Sequence, residues 1–315
     1  PVTGTDIKHY QTVGVTMESV RYDILSEWGQ YGSAPGEFDS INDLLIGPEG
    51  NIYVSDGSNC RIQVFSPNGS FLRSWGGWKS GYGFTIHPGG ISADRDGNIY
   101  VPDSGVDRID VFDPYGNLLN SHEIPANKSV GHFGSKEITV DTKGNIFVTE
   151  PVNKTIRKLN NQGVLEKTWK IYRNGRYKGS PGPMVTDNED NLYVIDTDSG
   201  YILKYSNDGI RIDDWSPEKI GLARFPWPTD ITLGPDGYIY CSGLNQDHLV
   251  ILDTKGDLIR KGVLVKPVSY PRIAVLSSGT VVMGDTGTNS ISLMAEKQQN
   301  TSPAHDKKES VPTTI

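Results

Sequence analysis

Cysteine is nearly absent from this chain. Two residues in 315, Cys60 and Cys241, do not make a disulfide framework. They fall in a loop of one sequence repeat and a middle strand of another, so no bridge between them is expected. No apolar run approaches the ~20 residues that a membrane-spanning helix needs. No Gly-x-Ser-x-Gly, phosphate-binding glycine loop, paired-cysteine metal site or dinucleotide fingerprint occurs, which leaves nucleophilic catalysis without sequence support. Basic charge is in deficit, 30 Lys and Arg against 38 Asp and Glu for a formal net charge of −8, and that argues against a broadly nucleic-acid-binding surface.

What is present is glycine, 36 residues of it, and it is placed periodically. The stretch Asp43 to Trp75 reads as four short strands. Apolar residues alternate in Asn51-Ile52-Tyr53-Val54 and Arg61-Ile62-Gln63-Val64-Phe65, the period of half-buried strands. Turn chemistry separates them at Pro48-Glu49-Gly50-Asn51 and Pro67-Asn68-Gly69. The first turn glycine returns as Gly97, Gly144, Gly237 and Gly279, with Asp190 in its place once, at steps of 47, 47, 46, 47 and 42 residues. The second returns as Gly116, Gly163, Gly209 and Gly256, at steps of 47, 47, 46 and 47. Two independent markers with one period mean a repeat, and four strands per 40 to 50 residues mean a β-propeller. The expectation is an all-β, six-bladed β-propeller of four-stranded antiparallel blades. The sixth unit, Arg272 to about Met294, supplies only three strands, and Tyr22–Trp28 matches the missing fourth. The N-terminal strand is therefore expected to complete the last blade and close the ring, hiding an exposed edge. Residues 1–20 are read as an N-terminal arm, 21–295 as the propeller, and 296–315 as a disordered tail or linker, since the tail has almost no bulky apolar residue.

Gly32-Ser33-Ala34-Pro35-Gly36-Glu37-Phe38, Gly50-Asn51-Ile52-Tyr53-Val54-Ser55-Asp56 and Asn59-Cys60-Arg61-Ile62-Gln63-Val64-Phe65 resemble the NHL repeat nearly residue for residue. Gly97–Asp103 followed by Arg108–Phe112 is similar; the third unit has Glu150 for the aspartate and Thr155 for the arginine, and the later units diverge further. The resemblance covers roughly residues 21 to 295. It implies a propeller fold without choosing a function, because the family includes RNA-binding modules, protein-binding modules, receptor ectodomains and a metal-dependent lyase. The lyase branch carries histidines entering alternate inner strands. Here those segments read Pro88-Gly89-Gly90-Ile91 and Pro228-Thr229-Asp230-Ile231, so the resemblance does not carry its zinc ligands onto this chain.

In a four-stranded blade the crossovers between blades and the loop joining the second and third strands share one end, where candidate site residues are sought. The residues leading into the innermost strands are Asp43, Gly90, Glu137, Pro183, Asp230 and Arg272. Acids in alternate units make Asp43, Glu137 and Asp230 candidate oxygen ligands for Ca²⁺ or another divalent cation in the central channel, or else caps for neighbouring backbone. A second set is Asp56, Asp103, Glu150, Asp196, Gly243 and Asp285, and a third is Arg61, Arg108, Thr155, Tyr201, His248 and Ser290. Ion pairs Asp56–Arg61 and Asp103–Arg108 are expected to organise their loops. Arg61, Arg108, Tyr201, Trp227, His248 and Arg272 are the candidate ligand-binding residues, His248 being titratable and the aromatics suited to sugars, bases or peptide side chains. His87, His122 and His132 are read as lying in crossovers of the second and third units, where a zinc cluster is one reading, although their spacing matches no metal motif.

The favoured reading is a non-catalytic binding or scaffold propeller for a protein, peptide or glycan, monomeric, with no membrane span. Four sequons, at Asn68, Asn127, Asn153 and Asn300, and a chain opening on Pro1 point to an extracellular or surface protein. One alternative is a metal-dependent hydrolase or lyase of lactonase type, with His248 moving a proton. Another is an RNA-binding module using the run Lys154, Arg157, Lys158, Lys167, Lys170, Arg173, Arg176 and Lys178, which holds one acid, Glu166.

Overall fold

The computed structural model describes residues 19–77, 88–103, 107–124, 136–150, 152–173, 177–221, 228–243 and 246–297. A first strand, β1 (Ser19–Trp28), precedes the repeats. Unit one follows as β2 (Ile41–Ile46), β3 (Ile52–Asp56), β4 (Arg61–Phe65) and β5 (Phe71–Gly76). Unit two is β6 (Ser92–Ala93), β7 (Ile99–Asp103), β8 (Arg108–Phe112) and β9 (Leu118–Glu123). Unit three is β10 (Ile138–Val140), β11 (Ile146–Glu150), β12 (Thr155–Leu159) and β13 (Leu165–Lys170), followed by a small hairpin, β14 (Tyr172–Arg173) and β15 (Tyr177–Lys178). Unit four is β16 (Pro181–Thr186), β17 (Leu192–Asp196), β18 (Tyr201–Tyr205) and β19 (Arg211–Trp215). Unit five is β20 (Pro228–Leu233), β21 (Ile239–Gly243), β22 (Gln246–Leu252) and β23 (Leu258–Val268). The last unit holds β24 (Pro271–Val275), β25 (Val281–Asp285) and β26 (Ser290–Glu296).

Units one to four each form a four-stranded antiparallel sheet in sequence order. The remaining strands form one eight-stranded sheet in the order β20-β21-β22-β23-β1-β26-β25-β24. This corrects the expectation of six four-stranded blades: the described chain is an all-β propeller with four such blades and one eight-stranded sheet. The reason lies in β1. Its later part pairs antiparallel with β26, from Tyr22↔Glu296 to Trp28↔Ile291. Its first residues, Ser19 to Tyr22, run parallel to Lys261–Leu264 of β23. β1 and β23 have 10 and 11 residues, against five or six in the outer strands of the other units. The extra length lets two outer edges meet and satisfies backbone groups that would otherwise stand unpaired.

The turn markers behave as their spacing requires. Gly50, Gly97, Gly144, Gly237 and Gly279 have φ between 73° and 85°, which side chains tolerate poorly. Asp190 takes φ 65° in the same role. Its carboxylate accepts from the Thr142 amide at 3.0 Å and pairs with Lys143 at 2.8 Å, so the acid links unit four to unit three and offsets its backbone cost.

The core lies between adjacent sheets. Phe38, Ile41, Leu44 and Val54 pack against Ala274, Val282 and Ile291 of the last unit, and Tyr193, Ile202 and Trp215 pack against Ile231, Ile239 and Val250. A second contact repeats around the ring. The glycine of each outer turn lies against the large side chain ending the previous outer strand: Gly69 on Trp28, Gly116 on Trp75, Gly209 on Trp169 and Gly256 on Trp215. His122 takes that place against Gly163. A Cβ on Gly256 (φ +80°) would sit 2.4 Å from the Trp215 ring, whereas one on Gly279 (φ +83°) would meet nothing within 4 Å. Gly279→Ala is therefore expected to cost about 1–2 kcal/mol of backbone strain and Gly256→Ala at least ~2 kcal/mol more, read from equilibrium urea unfolding of the two variants side by side.

Candidate functional site at the propeller axis and crossover end

The innermost strands bring three carboxylates and one guanidinium together at the axis. Asp43 stands on β2, Glu137 enters β10, Asp230 is on β20 and Arg272 on β24. Asp43 accepts from its neighbour Leu44 N at 2.8 Å and from Ile91 N in the next unit at 2.9 Å. Asp230 accepts from Ile273 N, again one unit on, at 2.6 Å. Glu137 donates its own amide to Thr149 Oγ1 at 2.9 Å. Arg272 Nη2 lies 3.4 Å from Glu137 Oε1 and Nη1 lies 3.7 Å from Asp230 Oδ1. The buried Nη1 has no hydrogen-bond partner.

Burial is the main electrostatic fact here, because a charge withdrawn from water is costly unless paired. Burial, then the charges of Asp230 and Glu137, pushes Asp43 well above the usual carboxylate range, and Arg272 offsets this only in part. Asp230 is raised by burial to about 7, again against the opposing pull of Arg272. Burial would lower Arg272, but the three carboxylates outweigh it and hold the guanidinium above its ordinary value. The cation these acids face is thus a side chain of the protein. Among the described residues no group of three or more His, Cys, Asp or Glu is arranged to hold a metal ion. Asp43 and Asp230 each accept a backbone amide from the next unit's inner strand, the capping role that is the alternative to a divalent site.

The crossover-end residues are committed in different ways. Arg61 meets Asp56 at 2.7 Å through Nε, while its other nitrogens donate to the carbonyls of Ser33, Ala34 and Glu37. It therefore builds the crossover into unit one. Arg108 is 3.4 Å from Asp103 and closer, 2.8 Å, to Asp110. Glu150 has no arginine at position 155, and Arg157 supplies the cation instead, at 2.8 Å. Tyr201 is half-buried against the Phe147–Leu203 cluster. His248 contacts Asp247 at 3.2 Å through Nδ1, with Nε2 buried and unpartnered; burial lowers its pKa. Trp227, His87 and His132 lie outside the described residues. His122 is buried in the tryptophan slot and burial lowers its pKa too. Cys60 and Cys241 are buried and not bridged to each other.

The basic run is largely spoken for. Lys154 pairs with Asp198 at 2.8 Å, Arg157 with Glu150, Lys158 with Glu166 at 3.4 Å and Asn207 at 2.7 Å, and Lys167 donates to the Asp208 carbonyl. Arg176 and the side chains of Arg173 and Lys178 fall outside the described set.

Sequence reasoning missed three tyrosines. Tyr31, Tyr172 and Tyr270 sit in the crossovers entering units one, four and six and are 71%, 39% and 58% exposed. They share the crossover end: Asn59 donates to Gly32 O, Ser180 to Asp198, and Thr286 N to Tyr270 O. The only signal was an aromatic in a crossover, which periodicity does not mark.

No known protein family's profile matches the chain, and no curated protein does. Solved structures do. A streptogramin B lyase is 18% identical over 81% of this chain and 78% of its own, with a TM-score of 0.57. A putative gluconolactonase is 15% identical over 88% and 92%, at 0.61. The WD40 repeats of RRP9 are 12% identical over 89% and 100%, at 0.57. At these identities the likeness is one of fold, the β-propeller. Among the described residues no helix is long and apolar enough to cross a membrane.

The axial acids carry a pH dependence. Asp230 is raised in the folded state from 3.8 to about 7, so the fold binds a proton more tightly than the unfolded chain, and the resulting stability is present at low pH and lost as pH rises through about 7. The melting temperature is expected to fall between pH 5 and pH 8, and Asp230→Asn to shrink that fall. Arg272→Leu leaves Glu137 and Asp230 without their cation and is expected to cost about 3–5 kcal/mol at pH 8, measured by urea unfolding.

Proposed function

We propose that this chain is a non-catalytic, NHL-type binding propeller that holds a protein, peptide or glycan at its crossover end, in an extracellular or surface setting. The observation that carries the reading is the set of three exposed tyrosines, Tyr31, Tyr172 and Tyr270, on separate crossovers of one end. Tyrosine gives large contact area at low entropic cost and is enriched in binding hot spots. The arginines nearby are occupied in building loops, as Arg61 is by three crossover carbonyls; that gives the aromatics a rigid platform. The setting rests on the sequons; the Asn68 turn is exposed.

A second reading, a metal-dependent hydrolase or lyase, draws on the likeness to the streptogramin B lyase and the putative gluconolactonase. Arg272 between the axial acids counts against it. For the RNA reading, the pairing of Lys154, Arg157 and Lys158 with acids removes much of its charge.

The test is to select binders from peptide and glycan libraries on the wild-type protein and to measure their affinity for a Tyr31→Ala, Tyr172→Ala, Tyr270→Ala variant. Selected ligands are expected to bind the variant at least about tenfold more weakly, with an unchanged melting temperature. Equal affinity for both proteins would move the site elsewhere, and turnover of lactones abolished by Asp230→Asn would replace binding with catalysis.

A further inference from the structure

Inside the ring, next to the axial charges, lies a cavity of about 440 Å³, within the size range of small-molecule sites. Residues of all six repeat units line it. Part of its wall is apolar, from side chains such as Leu44, Ile91, Ile138, Met184, Ile231 and Ile273. Asp43, Glu137 and Asp230 line it as well, and among the described residues no lysine, arginine or histidine does. Arg272 touches two of the acids without lining the cavity. Fully ionised, the three carboxylates would exceed the one guanidinium by two negative charges; burial instead favours protons on Asp43 and Asp230, and a bound cation would take the place of those protons.

The Asp230 side chain is 5% exposed and takes the backbone amides of Ile273 and Ile231, while its Oδ1 stands 3.7 Å from Arg272, beyond hydrogen-bond reach; a carboxylate oxygen has a second lone pair to offer. A Ca²⁺ ion asks for six to eight oxygens in one shell, and this arrangement does not provide them. A primary ammonium asks for less. It has three N–H donors and no acceptor, and three carboxylates approach it from units one, three and five. A charge-assisted hydrogen bond to each would favour the ionised form of the acids, while the aliphatic side chains would bury a carbon body.

We propose that the axial cavity is a binding site for a small primary amine, its ammonium held among Asp43, Glu137 and Asp230 and its apolar body against Ile91, Ile138, Met184 and Ile231. This site is distinct from the crossover-end surface and stands whether or not that surface binds a macromolecule.

The test is calorimetric titration of the full chain with benzylamine, with benzyl alcohol as the uncharged isostere and with calcium chloride. The result expected is saturable one-to-one binding of benzylamine, at least about tenfold tighter than benzyl alcohol. Asp230→Asn, which keeps an acceptor for the Ile273 amide, is expected to weaken benzylamine at least about tenfold. Glu137→Gln serves the same purpose on an acid that caps no strand. The triple tyrosine variant is expected to bind benzylamine as the wild type does. Benzylamine no tighter than benzyl alcohol, affinity unchanged in both acid variants, or calcium binding that excludes benzylamine would each overturn the proposal.

Discussion

Hydrogen bonding between side chains of the two inner strands and the backbone of an adjacent unit is the constraint on which the ring depends. Asp43 takes the Ile91 amide and Asp230 the Ile273 amide. Ser55 donates to Gly89 O, Val140 N donates to Ser92 Oγ, and Thr186 donates to Val140 O. Without such bonds the inner edges would carry buried polar groups with no partner, a cost of about 1–3 kcal/mol each. Because the carboxylates that make these bonds lie close to the axis, they lie close to one another, and Arg272 is the answer to the repulsion that results. The electrostatics of the channel therefore follow from how the ring is held together.

The outer part of the ring is held by shape. Tryptophans that end the outer strands lie flat on glycines one unit on, and the partners of those glycines set the spacing between sheets. Where His122 replaces tryptophan, its ring fills the slot against Gly163 and burial lowers its pKa. His122, which the sequence places in a crossover, ends an outer strand and is a packing residue.

Much of this was legible because turns demand positive φ and glycine supplies it; the period of Gly50, Gly97 and Gly144 counts units directly. Even the exception at Asp190 kept the count. The pairing of outer edges was not legible, since β1 meets β23 through Ser19–Tyr22 and Lys261–Leu264, segments that lie outside the period. At the axis, the repeat placed Asp43, Glu137, Asp230 and Arg272 in one set, but not whether the guanidinium or an ion would stand among the acids; that depends on side-chain reach across the channel. The Asp56–Arg61 pair was readable from two aligned positions, whereas the three carbonyls that take up the rest of Arg61 depend on the path of a non-repeating crossover. The same holds for Tyr31, Tyr172 and Tyr270.

The seam has a mechanical consequence. The start of β1 and the end of β26 lie side by side, with Tyr22 opposite Glu296 and Lys297 N donating to Arg21 O at 2.8 Å. Tension applied through the segments before Ser19 and after Lys297 would pull two antiparallel strands apart from one end. That is unzipping, which breaks ladder hydrogen bonds one after another rather than all at once. On its other side β1 runs parallel to β23 through Ser19–Tyr22 alone, so a load carried along the chain meets the longer β1–β26 ladder at its end and opens it from there.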